Sequence, residues 1–476
     1  MKTKVLFLLI ITGLLAGFTS CKKEGCTDPT ATNYDEKAKK DDGSCIYNET
    51  TNNIVITDNG KGTGTTTWTK DNVYILDGLV FVNDGQTLTI EAGTVIKGKP
   101  GTGENASALI VARGGKIIAN GTADEPIIFT AEADDLNGSV DIKAKGLWGG
   151  VIILGNGRLN SSPGESAIEG IPTSEPRGIY GGNDDTDNSG TLRYVSIRHG
   201  GTDIGEGNEI NGLTLGAVGS GTTIEYVEVI SNADDGIEFF GGAPRLKHVI
   251  VAFCGDDAFD YDEGFRGKGQ FWVAIQDPDE GDRVGEHDGG TNPETGTPYA
   301  IPEIFNVTYV GKGVTSGKRM ITFRDNAGGK YKNSIFVNQE HGVDIELLAG
   351  EGTFDRFQAG ELELTNNIFY NISDGTASGI FAISFGDGAS ANPDSASAAT
   401  DFANYFLTAN NVISDPGFSI TTSLWNIIPN STTDVTSNLA TYADSWFDAV
   451  NYKGAFAPGG TNWAKSWTLI GASGLQ

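Results

Sequence analysis

Ile224-Glu-Tyr-Val-Glu-Val-Ile-Ser-Asn-Ala-Asp-Asp-Gly-Ile-Glu-Phe-Phe-Gly-Gly242 is followed, at an offset of 22 residues, by Leu246-Lys-His-Val-Ile-Val-Ala-Phe-Cys-Gly-Asp-Asp-Ala-Phe-Asp-Tyr-Asp-Glu-Gly264. Val227 aligns with Val249, Val229 with Val251, Asp234 with Asp256, Asp235 with Asp257, Ile237 with Phe259, Phe239 with Tyr261 and Gly242 with Gly264. Each unit holds short apolar alternations separated by Gly or Asn turns, which is strand patterning.

Related units occur elsewhere. Leu88-Thr-Ile-Glu-Ala-Gly-Thr and Leu109-Ile-Val-Ala-Arg-Gly-Gly are offset by 21; Asn333-Ser-Ile-Phe-Val-Asn338 recurs at Asn366, and Asn410-Asn-Val-Ile lies 44 beyond that. A repeat near 22 residues built of short strands is one coil of a β-helix, in which each strand pairs with its equivalent in the next coil. A leucine-rich repeat would need its L-x-x-L-x-L-x-x-N line, and a propeller a period of about 40. The sequence therefore predicts an all-β, right-handed parallel β-helix of about a dozen coils over 71–415. Insertions at 131–146, 160–190, 276–300 and 385–402 are expected as bulging loops, 48–70 as a linker, and 416–476 as a C-terminal cap on the last coil. The cap carries Trp425, Trp446, Phe447, Trp463 and Trp467.

The chain opens with Lys2 and Lys4, an apolar run from Val5 to Gly17 and small residues before Cys21, the pattern of an export signal over 1–20. Phe18-Thr19-Ser20-Cys21 resembles a bacterial lipobox, which implies lipidation of Cys21 and attachment to a membrane through acyl chains. In an oxidising compartment Cys26 and Cys45 are expected to pair. They bracket a module at 21–47 that resembles the CTDPTAxNY…DDGSC element of secreted Bacteroidetes proteins. Asp28, Asp41 and Asp42 could chelate Ca2+ there, although a disulfide-held spacer is the plainer reading. Cys254, with no His or basic neighbour, is expected as a buried apolar residue.

With 62 acidic against 33 basic residues the formal charge is −29, which disfavours nucleic acid and anionic headgroups as partners. No histidine pair has metal-ligand spacing and no phosphate-binding loop is present. The chemistry-bearing feature is instead acidic. Asp234, Asp235 and Glu238 fall on one coil, and Asp256, Asp257, Asp260, Asp262 and Glu263 on the next. Carboxylates one strand spacing apart repel, so burial demands a shared proton, a basic neighbour such as Arg266 or Lys268, or a hard cation. Asp256, Asp260, Asp262 and Glu263 are the expected Ca2+ ligands.

Three uses of this cluster compete. The Asp residues could be a turn ladder bonding backbone amides. Asp234, Asp235, Asp256 and Asp257 could form a ligand surface for glycan, with Trp148, Trp272, Tyr180 and Phe240 stacking on sugar rings. Asn232-Ala-Asp-Asp235 and Gly255-Asp-Asp257 also resemble the paired-Asp motifs of polygalacturonase-type hydrolases. That resemblance implies Asp257 as acid and Asp235 or Asp256 as base, but the Gly-His-Gly and Arg-Ile-Lys elements of those enzymes are missing. A Ca2+-dependent lyase would need Arg266 as base. Finally, Gly146-Leu-Trp-Gly-Gly-Val-Ile-Ile-Leu154, Leu192-Arg-Tyr-Val-Ser-Ile-Arg-His-Gly200 and Gly255-Asp-Asp-Ala-Phe-Asp260 resemble a family of Bacteroidetes β-helix surface lipoproteins. The resemblance covers 71–476 and implies the fold and a cell-envelope location, with no established activity. The expected location is the outer membrane, lipid-anchored and surface-exposed, with a glycan or an outer-membrane protein as the expected partner. The expected role is binding or display, with polysaccharide cleavage as the alternative.

Overall fold

A computed structural model of the chain describes residues 23–45, apart from 30 and 32, and residues 52–475, apart from 206, 207, 387, 422 and 443. The signal segment and Cys21 lie outside the described residues. The chain divides into two compact units, with the boundary between Thr51 and Asn52. In the small unit Cys26 and Cys45 form a disulfide across 19 residues. Glu24 bridges Lys40 in parallel, and Asp41 and Asp42 each accept a backbone N–H two residues on. Those acidic side chains thus hold turns.

The large unit is a parallel β-helix. Thr223–Ile230 pairs in parallel with Arg245–Ala252, which pairs with Lys268–Ile275. Ile237–Phe240 pairs with Phe259–Asp262, so the 22-residue register read from the sequence is the physical one. Val227 lies on Val249, Val229 on Val251, Ile237 on Phe259 and Phe239 on Tyr261, and all are buried in a continuous apolar bore. Inward Val, Ile, Leu and Phe recur at alternate positions because successive strand side chains point to opposite faces.

Each coil has three faces. The first two are the halves of one bent strand in the middle coils, hinged at a residue in the left-handed region: Tyr194 (φ 49°), Tyr226 (56°), His248 (55°) and Phe271 (59°). The same corner is Asn306 (56°), Asn333 (53°), Asn366 (60°) and Asn410 (57°) in the later coils. Asn tolerates this conformation, whereas an aromatic side chain there is strained. The aromatic corners are held by stacking on one another: Tyr194 on Tyr226 at 4.4 Å, Tyr226 on His248 at 4.4 Å, His248 on Phe271 at 4.8 Å. The third face is a ten-stranded parallel sheet that includes Leu213–Gly216, Ile237–Phe240, Phe259–Asp262, Gly285–Asp288, Arg319–Arg324 and His341–Leu347.

Four assignments differ from the sequence reading. Within 48–70, Asn52–Ile56 pairs with Asn72–Leu76 and Thr66–Trp68 pairs with the strand at 87–90, so the stack begins inside the expected linker. Leu88 pairs with Ile117, and Leu109 with Val80; the likeness of those segments is between different faces of neighbouring coils. The insertion 385–402 runs into a helix, Ala398–Thr408, whose Phe402 and Phe406 rings sit 5.0 and 5.3 Å from Phe381. This helix closes the apolar bore, as an open β-helix end requires.

The C-terminal segment consequently does something else. It runs along the side of the stack, as a strap rather than an end cap. Trp463 and Trp467 meet the corner aromatics edge-on, at 5.0 Å from His248 and 5.6 Å from Tyr194. Asp448 N–H donates to Gln270, Ala440 N–H to Asn333, and the Asn366 amide donates to Asn438 O. Glu228, fully buried, accepts the Leu469 and Ile470 N–H groups at 2.9 Å each and the Ser196 hydroxyl. Glu228→Ala strands two amides in the interior. We expect a loss of about 2–3 kcal/mol in denaturant unfolding, with the 416–475 strap becoming the first site of proteolysis.

Candidate functional site

The site is built by the outward positions of the third face. Because Ile237 and Phe239 point into the bore, Glu238 points out; the same holds for Asp260 between Phe259 and Tyr261, and for Glu286 between Gly285 and His287. The parallel register then stacks Thr214, Glu238, Asp260, Glu286, Thr322 and Asp344 in one column, one per coil. The turns entering these strands add Asp234-Asp235, Asp256-Asp257 and Asp282-Arg283, and the far ends of the strands add Asp262, Asp288 and Arg324.

Part of this array is the turn ladder. Asp235 Oδ1 accepts the Asp257 N–H at 2.8 Å, and Asp257 Oδ1 accepts the Arg283 N–H. The remaining oxygens crowd together. Three groups each have one oxygen per residue within 4.8 Å of the others: Asp234, Asp235 and Asp256; Asp235, Glu238 and Asp260; Asp256, Asp257 and Asp282. At that separation, ionised pairs repel by about 3.5 kcal/mol each at an effective dielectric of 20. Burial, then neighbouring carboxylates, lifts Asp235, Glu238, Asp257 and Asp260 well above the usual carboxylate range. Asp234, half-buried and facing Glu169, Glu209 and Asp256, is raised to about 7. Burial raises Asp288 to about 7 even though Arg324 opposes it.

The neutralising residues are not those nearest in sequence. Arg266 pairs with Asp185 at 2.8 Å and Lys268 with Asp444 in the strap, so neither serves the cluster. Arg283 lies 3.1 Å from Glu286, 3.5 Å from Asp282 and 3.6 Å from Asp257; Arg324 binds Asp288 at 2.7 Å and Glu286 at 2.8 Å. Lys318 lies 3.0 Å from Asp282. Sequence reasoning missed Arg283, Glu286, Asp288 and Arg324 because the loop before Gly285 stretches that coil to an offset of 26 between Asp260 and Glu286. The visible signal was Gly285-Glu-His-Asp288, which repeats the small-or-apolar, acid, aromatic, acid order of Phe259-Asp-Tyr-Asp262.

Several expected site residues are elsewhere. The set Asp256, Asp260, Asp262 and Glu263 does not converge: Asp262 accepts from Thr291 and the Glu263 N–H, while Glu263 accepts from Ser161 at 2.8 Å and Tyr180 at 2.6 Å. Trp148 and Trp272 are 0% and 1% exposed. Their indole N–H groups donate to Arg198 O and Leu246 O inside the protein, because these rings fill the bore. They cannot stack on a ligand, and Tyr180 is buried too, in a separate apolar cluster with Ile152, Leu159 and Ile210. Asp257, 1% exposed with Oδ1 fixed to a backbone amide, is shut off from a polymer at the surface, whereas Asp256 is exposed. Cys254 is buried as expected, and burial pushes its thiol up to about 12.

Carboxyls with raised folded-state values bind more protons folded than unfolded, so stability falls as pH rises from about 4, the ordinary Asp value, through the neutral range. In chelator-treated protein the denaturation midpoint should be higher at pH 5 than at pH 8. Asp260→Asn should stabilise the chelated protein at pH 8, by about 1–3 kcal/mol, by removing one buried charge.

Comparison with known proteins adds the family. The chloroplastic ribulose bisphosphate carboxylase/oxygenase activase 1 of Larrea tridentata is 75% identical over 24 residues, a match that spans 5% of this chain and 5% of that protein. No solved structure matches the chain. The family described as pectate-lyase-like β-helix domain matches residues 37–406. The three-faced parallel coil and the extent of that match lead to one conclusion: the chain belongs to the pectate-lyase-like β-helix domain family.

Proposed function

We propose that the protein is a lipid-anchored binding and display protein of the bacterial cell envelope, surface-exposed on the outer membrane, whose third β-helix face holds a glycan with the help of Ca2+. One observation carries this reading: Glu238, Asp260 and Glu286 of three successive coils stand in register on a single outward face, with Arg324 of the next coil in register with Asp288 beside them. The outward side of the second half-strand is covered by the strap, whose Trp425, Ile427, Phe456 and Ile470 share one apolar cluster with Ile230, Ile250, Val273 and Val310. A parallel stack repeats its surface at about 4.8 Å, which suits an extended polymer presenting repeated hydroxyl or carboxylate groups. An acid-rich face cannot hold an acidic polymer directly, but a hard cation shared between two sets of oxygens can. Arg283 and Arg324, each half-buried among carboxylates, present donors at the same face.

Anchoring rests on the signal pattern and Cys21. The 23–45 unit, tied by its disulfide, is then a spacer between lipid and β-helix. A radiolabelled fatty acid should enter the wild-type chain and not the Cys21→Ser variant.

Cleavage is supported less well. Its best residues are Asp234, raised to about 7 and so able to hold a proton near neutrality, and the exposed Asp256. The pairing of Asp235 with Asp257 is buried in the turn ladder.

The mature chain carrying Cys21→Ser, applied to an array of acidic and neutral envelope and plant-type polysaccharides, should bind a restricted set, more tightly with Ca2+ than with chelator. Substituting Glu286→Gln with Arg324→Ala should weaken that binding tenfold or more. On pectin-like substrates wild type should release no new chain ends; turnover that Asp256→Asn abolishes would place the protein among enzymes.

A further inference from the structure

Arg198 ends the bent strand Gly190–Arg198, and it points outward because Val195 and Ile197 point into the bore. It is 8% exposed. Its Nε donates to Ser196 Oγ at 2.7 Å; among the described residues its side chain has no other hydrogen-bond partner, and no carboxylate oxygen lies within 4.0 Å of the guanidinium. The two terminal nitrogens are therefore unpartnered, yet they are not sealed in protein. They open on a cavity of about 280 Å3 that Arg198 lines together with His199.

The walls come from two segments outside the coil. The insertion over 134–142 supplies Val140 and Ile142, and it is held by the Ser231 hydroxyl, which donates to Ile142 O. The strap supplies Leu469, whose N–H is held by Glu228. His199, 1% exposed, brings the second polar group. Its Nδ1 lies 2.7 Å from Ala144 O; a carbonyl only accepts, so Nδ1 carries the proton and Nε2 keeps a lone pair, with no partner among the described residues. Burial holds the imidazole below its ordinary range, so it is neutral. The cavity thus offers a two-pronged donor, one acceptor and an apolar wall.

We infer that this cavity binds one small organic carboxylate that carries a hydroxyl on the adjacent carbon and an apolar tail. The carboxylate takes two parallel N–H bonds from the Arg198 fork, the hydroxyl donates to His199 Nε2, and the tail lies against Val140, Ile142 and Leu469. A guanidinium is costly to bury without a counter-charge, and water in the cavity satisfies its hydrogens but brings no charge. The neighbouring carboxylates are engaged elsewhere: Glu228 accepts from Ser196, Leu469 and Ile470, and Asp134 from Thr130 and Leu136. Their charges, with the lone pair of His199, weigh against a multiply charged phosphate. The site lies between the second half-strand and the strap, apart from the acidic third face, and it does not depend on the glycan reading.

The test is calorimetric titration of α-hydroxyisocaproate into the mature chain carrying Cys21→Ser, near neutral pH, beside isocaproate, which lacks the hydroxyl, and inorganic phosphate. One saturable site per chain is expected for the hydroxy acid, with isocaproate at least fivefold weaker and phosphate weaker than either. Arg198→Lys keeps the charge but removes the fork, and should weaken binding tenfold or more. His199 sits in the left-handed region (φ 62°), which Asn tolerates. His199→Asn keeps an N–H for Ala144 O but has no atom in place of Nε2, so it should bind the two acids equally. Arg193→Lys, exposed on the same strand, should leave binding within twofold. No saturable binding of the hydroxy acid, equal affinity of the wild type for the two acids, tighter binding of phosphate, unchanged affinity in Arg198→Lys, or a hydroxyl preference that survives in His199→Asn would each overturn the inference. The comparison of the two acids uses the wild-type β-helix alone, so it decides the matter even where a variant does not fold.

Discussion

The structure depends on parallel backbone pairing from coil to coil in unbroken register. Where Val227 lies on Val249 and Ile237 on Phe259, every neighbouring side chain is placed as well, because strand side chains alternate in and out with a period of two. The same register that stacks Val, Ile and Phe in the bore therefore forces Glu238 onto Asp260 and Asp260 against Glu286 outside. The interior makes the arrangement stable and the exterior makes it costly. The acidic column is a consequence of the coil that the coil's own hydrogen bonds cannot relieve.

The relief is local, and its uneven distribution gives the face its character. Among the described residues basic side chains pair with the column only from Arg283 onward, where longer excursions bring Arg283, Lys318 and Arg324 against it. Toward the earlier coils the partners are Asn211 and Glu169, an amide and another acid. One end of the column is thus an ion-pair network, and the other is a knot of acceptors. The face is therefore polarised along the stack axis, which a uniform ladder would not be.

The middle of the chain was readable from its residues because the 22-residue offset between 224–242 and 246–264 contains no insertion. Val, Ile and Asp positions there announce both the coil and the vertical contact of Asp235 with Asp257, later seen as a hydrogen bond. Legibility fails wherever the coil length changes. The shift to 26 residues hid Glu286 and Asp288, and similarity between different faces made Leu88 look equivalent to Leu109. Long-range roles were also hidden. Nothing local tells Trp148 and Trp272, which fill the bore, from Trp463 and Trp467, which brace its corner. The strap is invisible in periodicity because it has none; its position follows from surfaces that the coils leave uncovered.

That strap changes how the protein bears mechanical load. Stacked coils by themselves would yield one at a time from a free end, since each touches only its neighbours. Here a single segment is fastened to Glu228, Gln270, Asn333 and Asn366 in turn. It acts as a splint across the coils it spans, so tension drawn along the stack must shear several attachments together before any of those coils can peel away.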